Sequence, residues 1–568
     1  MMMGRMEYTS GSYNDQATDG EGLPSGGIES PYAGGVVKGL TSSYGEWKNM
    51  YLTFSAHYAY KSRYMVDFSM RADGTTKFGP DKRWGVFPSV SLRWNVIDEK
   101  FMEWSRNWLS MLSVRPSWGM TGKAPNRDYL YTSKYASTWK YADMAAMYPT
   151  NLRLTDLRWE KVSQYNLGFD LGFWNDKIQL TFEMYNMTTT DNLMPNYRIP
   201  SNSGFYTIDY YNSGKKRDTG WEFRINTNKL VKKGKFSMDM NVNFGNNSSK
   251  ILEMDKTILK NINTVFNNEN HQVLTRLELN NAFGSIYGFR YKGVYTNTYG
   301  YLERKRDEMG WTTSEADVAA YKQWIMDEMA ANKRFPIALN ENGEPIMDEE
   351  KGEPIRMKFN ATTDESGKNY SFNGGDAIYE DLNHDGQINA LDIVYLGSSL
   401  PKVTGGFGFT FNYGDWRLST QFSYRIGNKI LNMGRLESEA MISNDNQTQA
   451  VNYRWRKEGD GSNGETVLPR AMYGNTSNYN TLVSDRFVEN GSYLRMTYAQ
   501  LSYTIKKKYL KGTGLSRIAL YFSANNPFVL TKYTGMDPDI NYSGYSPAQD
   551  YSKTPRSRSY TFGLTVDF

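Results

Sequence analysis

The stretch YLTFSAHYAYKSRYMVDFSMR, Tyr51 to Arg71, decides the fold class. Leu52, Phe54, Ala56, Tyr58 and Tyr60 alternate with Thr53, Ser55, His57 and Ala59. Successive side chains of a strand point to opposite faces, so this period of two gives a strand with one apolar face. After Lys61 and Ser62 the pattern resumes, with Tyr64, Val66, Phe68 and Met70 on one side and Asp67, Ser69 and Arg71 on the other. Two such runs around a short polar break predict a hairpin.

The same writing continues outward. Val90, Leu92, Trp94 and Val96 form one further alternating set, and Leu112, Val114, Trp118 and Met120 another. Tyr165 to Phe173 meets an Asn175-Asp176 turn and returns as Ile178 to Met184; Trp221 to Ile225 passes through Lys232-Lys233-Gly234 to Phe236–Phe244. Phe407 to Tyr413 turns at Gly414-Asp415 into Trp416–Tyr424, and Tyr493–Ile505, Ile518–Phe522 and Tyr560–Phe568 close the series. Several runs reach the roughly 9 to 11 residues that a tilted strand needs to cross a bilayer. A soluble sandwich would show shorter strands with turns every ~8 to 12 residues. Long alternating strands with Asp, Asn, Arg, Gln and Gly on the second face are the signature of a membrane barrel around a polar lumen.

Connection lengths carry the sidedness, because outer-membrane barrels have short periplasmic turns and long outer loops. Tight turns fall near Lys61, Asn175, Lys233, Gly414 and Lys511, with a modest one from Asp98 to Asn107. Between them lie long connections at 122–160, 188–217, 247–400, 428–490 and 527–556. This parity makes 247–400 one outer excursion, with Phe283–Tyr295 as a hairpin inside it, and places Phe568 on the periplasmic side. The count is roughly thirteen crossings plus a stub at Met6-Glu7-Tyr8, read as a strand cut off at its start, so an incomplete barrel is expected.

Composition narrows the chemistry. The 568 residues include no cysteine and only 3 histidines, which excludes disulfide scaffolds and Cys/His zinc sites. No run approaches the ~18 apolar residues of a membrane helix, and alternating strands escape hydropathy averages. The 66 basic and 61 acidic residues are dispersed, with no basic stripe, so nucleic acid is not expected as a partner. The opening MMMGRMEYTSGSYNDQATDGEG lacks the apolar core of a signal peptide, so the chain is expected either to remain in the cytoplasm or to have lost its true beginning.

The sharpest local motif is DLNHDGQINALD. Asp381, Asn383 and Asp385 stand at positions 1, 3 and 5 of a calcium loop, Gly386 at its turn, Gln387 at the backbone-carbonyl position, Asn389 at 9 and Asp392 at 12. Hard oxygen ligands at this spacing wrap one Ca²⁺, with Asp392 replacing the usual bidentate glutamate. The alternative is an Asx-rich turn that satisfies its own backbone. His384 is expected to be exposed rather than a ligand, and His57 and His271 have no companion in sequence. Ser314–Asn332 reads as an amphipathic helix with Ser314 as N-cap and Asp317 three residues on, its Trp324 and Ile325 closing the loop on itself or meeting a neighbour. No nucleophile elbow, metal-protease motif or phosphate-cradling glycine fingerprint occurs, and Gly405-Gly406-Phe407-Gly408 reads as glycine relieving crowding in a strand. No enzymatic activity is expected.

The blocks RADGTTKFGPDKRWGVFPSVSLRW (Arg71 to Trp94), LRWEKVSQYNLGFD (Leu157 to Asp170), NSGKKRDTGWEFRIN (Asn212 to Asn226), NGSYLRMTYAQLSYTI (Asn490 to Ile505) and the terminal SYTFGLTVDF resemble the C-terminal barrel of SusC/RagA-type TonB-dependent outer-membrane transporters. The resemblance implies an all-β fold, a transmembrane antiparallel β-barrel of 22 strands of which this chain is the C-terminal part, the plug being absent. Residues 1–48 would be the end of a truncated strand and an outer loop, and 49–568 the barrel region. It also implies the cell outer membrane as location, a SusD-like lipoprotein lid, TonB acting through the missing N-terminal part, and nutrient uptake. The cargo would be a glycan, an oligosaccharide or a peptide, with loop aromatics such as Tyr473 and Tyr479 placed to stack on sugars or to pack against a lid. Phe568, aromatic and last on an alternating strand, resembles the signal read by the barrel-assembly machinery. An outer-membrane barrel enzyme and a soluble β-rich carbohydrate-binding protein are the competing readings from the residues alone.

Overall fold

The computed structural model describes residues 2–10, 14–17, 40–43, 46–141, 144–263, 276–360, 369–465, 467–473, 479–543 and 546–568. His271 and much of 1–48 lie outside them. Two compact units are present, one of residues 1–228 and 250–261, the other of 229–249 and 262–568.

In the first unit the long strands are β1 (Met2–Ser10), β2 (Glu46–Tyr60), β3 (Tyr64–Thr75), β4 (Trp84–Asn95), β5 (Leu109–Lys123), β6 (Glu160–Phe173), β7 (Ile178–Thr190) and β8 (Lys215–Thr227). In the second they are β9 (Phe236–Glu253), β10 (Val403–Tyr413), β11 (Trp416–Ile426), β12 (Tyr493–Ile505), β13 (Arg517–Thr531) and β14 (Ser559–Asp567). Within each unit every strand pairs antiparallel with its neighbour in the chain, an up-and-down meander. The thirteen expected crossings are thus β2 to β14, and the stub is β1, whose Met6 lies opposite Met50.

The register sets the apolar alternates side by side: Phe54 faces Met70, Tyr58 faces Val66, and Tyr64, Val66 and Met70 face Trp94, Leu92 and Pro88. Lys61 and Ser62 are both left-handed, as the two-residue turn of a right-twisted hairpin requires. At Gly405 a Cβ would come within 2.1 Å of the Asn243 carbonyl oxygen, so glycine there answers crowding against β9.

Packing is inverted relative to a water-soluble protein. Large apolar side chains along the strands, among them Leu52, Phe54, Phe68, Leu92, Leu418, Leu520 and Leu564, are exposed. Most of the fully buried ones, such as Phe289, Phe359, Phe372, Ile325, Ile388 and Phe487, belong to the connections; Ile251, near the end of β9, is an exception. Water charges roughly 25 cal/mol per Å² for apolar surface, whereas a lipid environment removes that penalty. No described helix is long and apolar enough to cross a membrane, which says nothing of a crossing by strands.

The connection 254–402 builds a lobe with its own cores. Helices α1 (Tyr299–Met309) and α2 (Glu315–Ala330) enclose Leu302, Tyr321, Ile325 and Phe335. A second core gathers Phe289, Tyr295, Phe359, Phe372, Tyr379 and Ile388 with Tyr479 and Leu482 from a later connection. Phe283–Tyr295 is not the self-paired hairpin expected from its pattern. It carries two short strands, Ser285–Gly288 and Tyr291–Val294, which pair with Val394–Ser398 and Ala377–Tyr379. Its alternation serves burial inside the lobe, a partner choice that local sequence does not encode.

Candidate functional site

The second faces of β3 to β8 line a polar recess of about 590 Å³ in the first unit. At its centre the Arg115 guanidinium donates from Nε to Asp170 Oδ2 at 2.7 Å, and from one terminal nitrogen to Asp170 Oδ1 at 3.1 Å and Glu183 Oε1 at 2.7 Å. Ser113 and Thr181 hydroxyls also donate to Asp170, at 3.1 and 3.2 Å. His57 Nδ1 lies 2.6 Å from Asp67 Oδ1, and Asp67 lines the same recess. The alternation predicts which residues share this face; which of them pair follows from register, with Ser113 opposite Asp170 and Ser117 opposite Asn166. The ionic cluster around Arg115 had no signal beyond polar alternates on separate strands. Such a wall presents charge and hydrogen bonds to water and to anything passing along it, while the opposite faces of the same strands stay apolar.

The sequence-predicted metal residues lie together in the lobe. Asp381 Oδ2 accepts from the Gly386 amide at 2.8 Å, and Asp385 Oδ1 from the Gln387 amide at 2.8 Å. Asn383 Nδ2 donates to Asp385 Oδ2 at 2.9 Å. Gly386 is left-handed and gives the sharp reversal that the motif requires. Asn389 and Asp392 are buried and cap a short 3-10 turn: Asn389 Oδ1 accepts from Leu391 N, and Asp392 Oδ2 from Asn389 N. The other Asp392 oxygen accepts from Leu382 N at 2.9 Å, while the Gln387 side-chain oxygen accepts from Asn360 at 3.2 Å.

Burial pushes the Asp392 carboxyl up to about 6 and raises Asp381 as well, the latter against its hydrogen bond from the Gly386 amide. Asp381 Oδ1 is buried without a hydrogen-bond partner. Among the described residues no group of three His, Cys, Asp or Glu side chains is placed to hold a metal, so a cation here would rest on Asp381 and Asp385 with amide oxygens. The donor set is all oxygen, as Ca²⁺ requires, and the orphan on Asp381 is the kind of atom a cation satisfies. His384, expected to be exposed, is half-buried, with Nδ1 2.9 Å from the Leu339 carbonyl oxygen.

Tyr473 is exposed as expected, but Tyr479 is not available for stacking on a cargo. It is buried against Tyr370, with ring centroids 4.3 Å apart, and Phe359 at 4.7 Å. In α2 the Ser314 hydroxyl accepts from Asp317 N at 3.2 Å, whereas the Asp317 carboxylate reaches back to Thr312, so the capping box is half formed. Ile325 is fully buried and Trp324 stacks on Tyr301 and Tyr321, so the helix closes the lobe on itself. Phe568 is exposed just past β14, whose Tyr560, Phe562 and Leu564 stand opposite Ala524, Phe522 and Leu520.

The model of the TonB-dependent receptor-like β-barrel family matches residues 4–324, more than half of the chain. The chain belongs to this family. As a TonB-dependent receptor-like barrel it is 27% identical over 519 residues to TonB-dependent receptor P39 of Formosa agariphila, covering 90% of this chain and 45% of that protein. To TonB-dependent receptor SusC of Bacteroides thetaiotaomicron it is 26% identical over 529 residues, covering 90% of this chain and 43% of the relative. The chain thus spans about half the length of the curated relatives it matches. Among solved structures, the RagAB peptide transporter superposes with a TM-score of 0.68 at 20% identity over 94% of this chain and 49% of that one. At that identity the likeness concerns the fold, which is that of a SusC/RagA-type barrel.

Proposed function

We propose that this barrel serves TonB-dependent uptake of a nutrient across the outer membrane, together with a SusD-like lipoprotein that lids the long-loop side. The observation that carries this reading is the inverted packing: exposed apolar strand faces, a charged and hydrogen-bonding second face, and buried cores drawn mainly from the connections, with strand residues such as Phe87 joining them at one end. The cargo class that fits is an oligosaccharide, a glycan or a peptide, since the polar face offers donors and acceptors of both signs. Support also comes from the relatives, named TonB-dependent receptors, and from RagAB, named a peptide transporter. The test is uptake of labelled oligosaccharides and peptides by cells carrying or lacking the gene in its native setting, with and without a protonophore. Import that depends on the gene and collapses with the protonophore is expected; import unchanged by deletion of the gene would sink the reading.

We further propose that Asp381, Asn383, Asp385, Gln387, Asn389 and Asp392 form a calcium loop that orders the lobe, and that Phe568 is recognised by the barrel-assembly machinery.

A further inference from the structure

The connection between β4 and β5 is longer than the other tight turns; that between β12 and β13, residues 506–516, comes nearest, with one 3-10 turn at Lys507–Tyr509. Lys61 to Arg63 suffices between β2 and β3, and Gly414-Asp415 between β10 and β11, whereas here thirteen residues, 96–108, form two 3-10 turns, Val96–Asp98 and Lys100–Ser105. The segment has an inside, with Val96, Ser105 and the adjoining Leu109 buried. Ser105 Oγ donates to the Met102 carbonyl at 2.7 Å, and the Trp108 amide to the Ser105 carbonyl at 3.1 Å, which closes the turn. Its outside is aromatic: Phe101 is 61% and Trp104 70% exposed.

These rings join the apolar band of the strands. Trp104 lies 6.0 Å from Trp108, which stacks at 6.0 Å on Phe173, and Phe173 lies 5.9 Å from Trp174. Phe173 alternates with Leu171 and Phe169 on the apolar face of β6, while the Trp174 amide donates to the Trp108 carbonyl at 2.8 Å, tying the two turns together. On the same margin Glu99 accepts from Tyr64 Oη at 2.5 Å and Trp94 Nε1 at 3.2 Å, so both rings keep an apolar body toward the band and a satisfied polar tip at its rim. Lys100, Arg106 and Lys177 are exposed here, against two exposed acids, Glu103 and Asp176. Aromatic rings with polar tips and flanking cations are what the headgroup layer of a bilayer selects.

We propose that residues 96–108 are an interfacial anchor, in which Phe101 and Trp104 insert into the headgroup and glycerol region of a phospholipid leaflet while Lys100 and Arg106 meet lipid phosphates. This rests on the membrane-spanning reading of the strands. The chain contains no cysteine, so single cysteines can carry a nitroxide label without background. Labels at Trp104→Cys, at Leu92→Cys on the strand band and at Tyr453→Cys on an exposed connection are introduced into the protein expressed in its native gene setting and compared after reconstitution into phosphatidylethanolamine/phosphatidylglycerol vesicles. Collisions with oxygen and with a water-soluble nickel chelate are read by electron paramagnetic resonance. The 104 label is expected to lose most of its nickel collisions relative to 453 while keeping its oxygen collisions, at a depth shallower than 92. Lys100→Glu with Arg106→Glu should move it outward, toward greater nickel access. A 104 label as open to nickel as 453, with 92 still shielded, overturns the anchor and leaves the spanning strands standing. Protection of 104 from both nickel and oxygen also overturns it, since a protein surface then covers the turn. Nickel access at 92 and 104 together removes the spanning reading and the anchor with it.

Discussion

At the scale of single residues, Arg115 and Asp385 carry different kinds of weight. Arg115 holds two carboxylates of the polar face through a planar fork, one of them, Asp170, largely shielded. Arg115→Met leaves Asp170 with hydroxyl donors and only the more distant guanidinium of Arg93, 3.9 Å away, and hydrogen bonds to charged groups contribute about 1.5 to 3 kcal/mol each. The denaturation midpoint of the detergent-solubilised chain should fall accordingly, and Arg115→Lys should recover less than half of the loss because an ammonium lacks the fork. An unchanged midpoint for Arg115→Met would show that the cluster is solvated rather than structural. Asp385 stands at position 5 of the proposed calcium loop, where it now accepts from Gln387 N and Asn383 Nδ2. Calorimetric titration of calcium into the whole chain should give a saturable heat that Asp385→Ala abolishes, the strands being unaffected. Identical titrations for the two proteins would return the loop to its alternative, an Asx turn that needs no metal.

At the scale of elements, α2 and the long strands answer to opposite solvents. The apolar residues of α2 cover one another within the lobe, with Ile325 fully buried among Leu302, Tyr321 and Phe335. Ile325→Ala removes three carbons from a filled site and should cost about 2 to 5 kcal/mol of local stability. Hydrogen exchange should then quicken across α1 and α2 while amides of β10 and β11 keep their protection, since those strands hold each other through eleven paired residues without the lobe. Parallel loss in the strands would mean that lobe and meander unfold as one unit. Along the strands, by contrast, truncating an exposed leucine such as Leu92 should have little effect in detergent, because nothing of the protein packs over it.

At the scale of the molecule, edges matter more than contacts. Among the described residues of its unit β1 pairs only with β2, and β14 in the other unit only with β13, so each leaves a row of backbone groups open on one side. Lipid supplies no hydrogen bonds, and open edges are not tolerated there. Arg517 holds Asp567 at 2.7 Å and so fixes the end of β14 beside Phe568. In the native gene setting, deletion of Phe568 is expected to lower assembled, heat-modifiable protein far more than Phe562→Leu, which keeps an apolar side chain on the exposed face. Equal assembly with and without Phe568 would leave it as one more lipid-facing ring.

The alternation from Tyr51 to Arg71, and its recurrence to Phe568, by itself determined the strands, their hairpins and which face of each is apolar, because a period of two is a local property of the backbone. Connection lengths likewise set the parity that separates tight turns from long excursions. The spacing of Asp381 to Asp392 placed six oxygen donors in one loop for the same reason. What only the tertiary structure decided is which distant groups meet. Tyr479 alternates with nothing in its neighbourhood, yet sits in a core a hundred residues from Tyr379, whose hydroxyl donates to its carbonyl at 2.9 Å. Asp392, a ligand by spacing, turns to cap Asn389, and Phe283–Tyr295 divides its pairing between two partners. Arg115 finds Asp170 and Glu183 only through the register of β5, β6 and β7. Such choices follow from register and packing between segments far apart in the chain, and the local pattern of apolar and polar residues is silent about them.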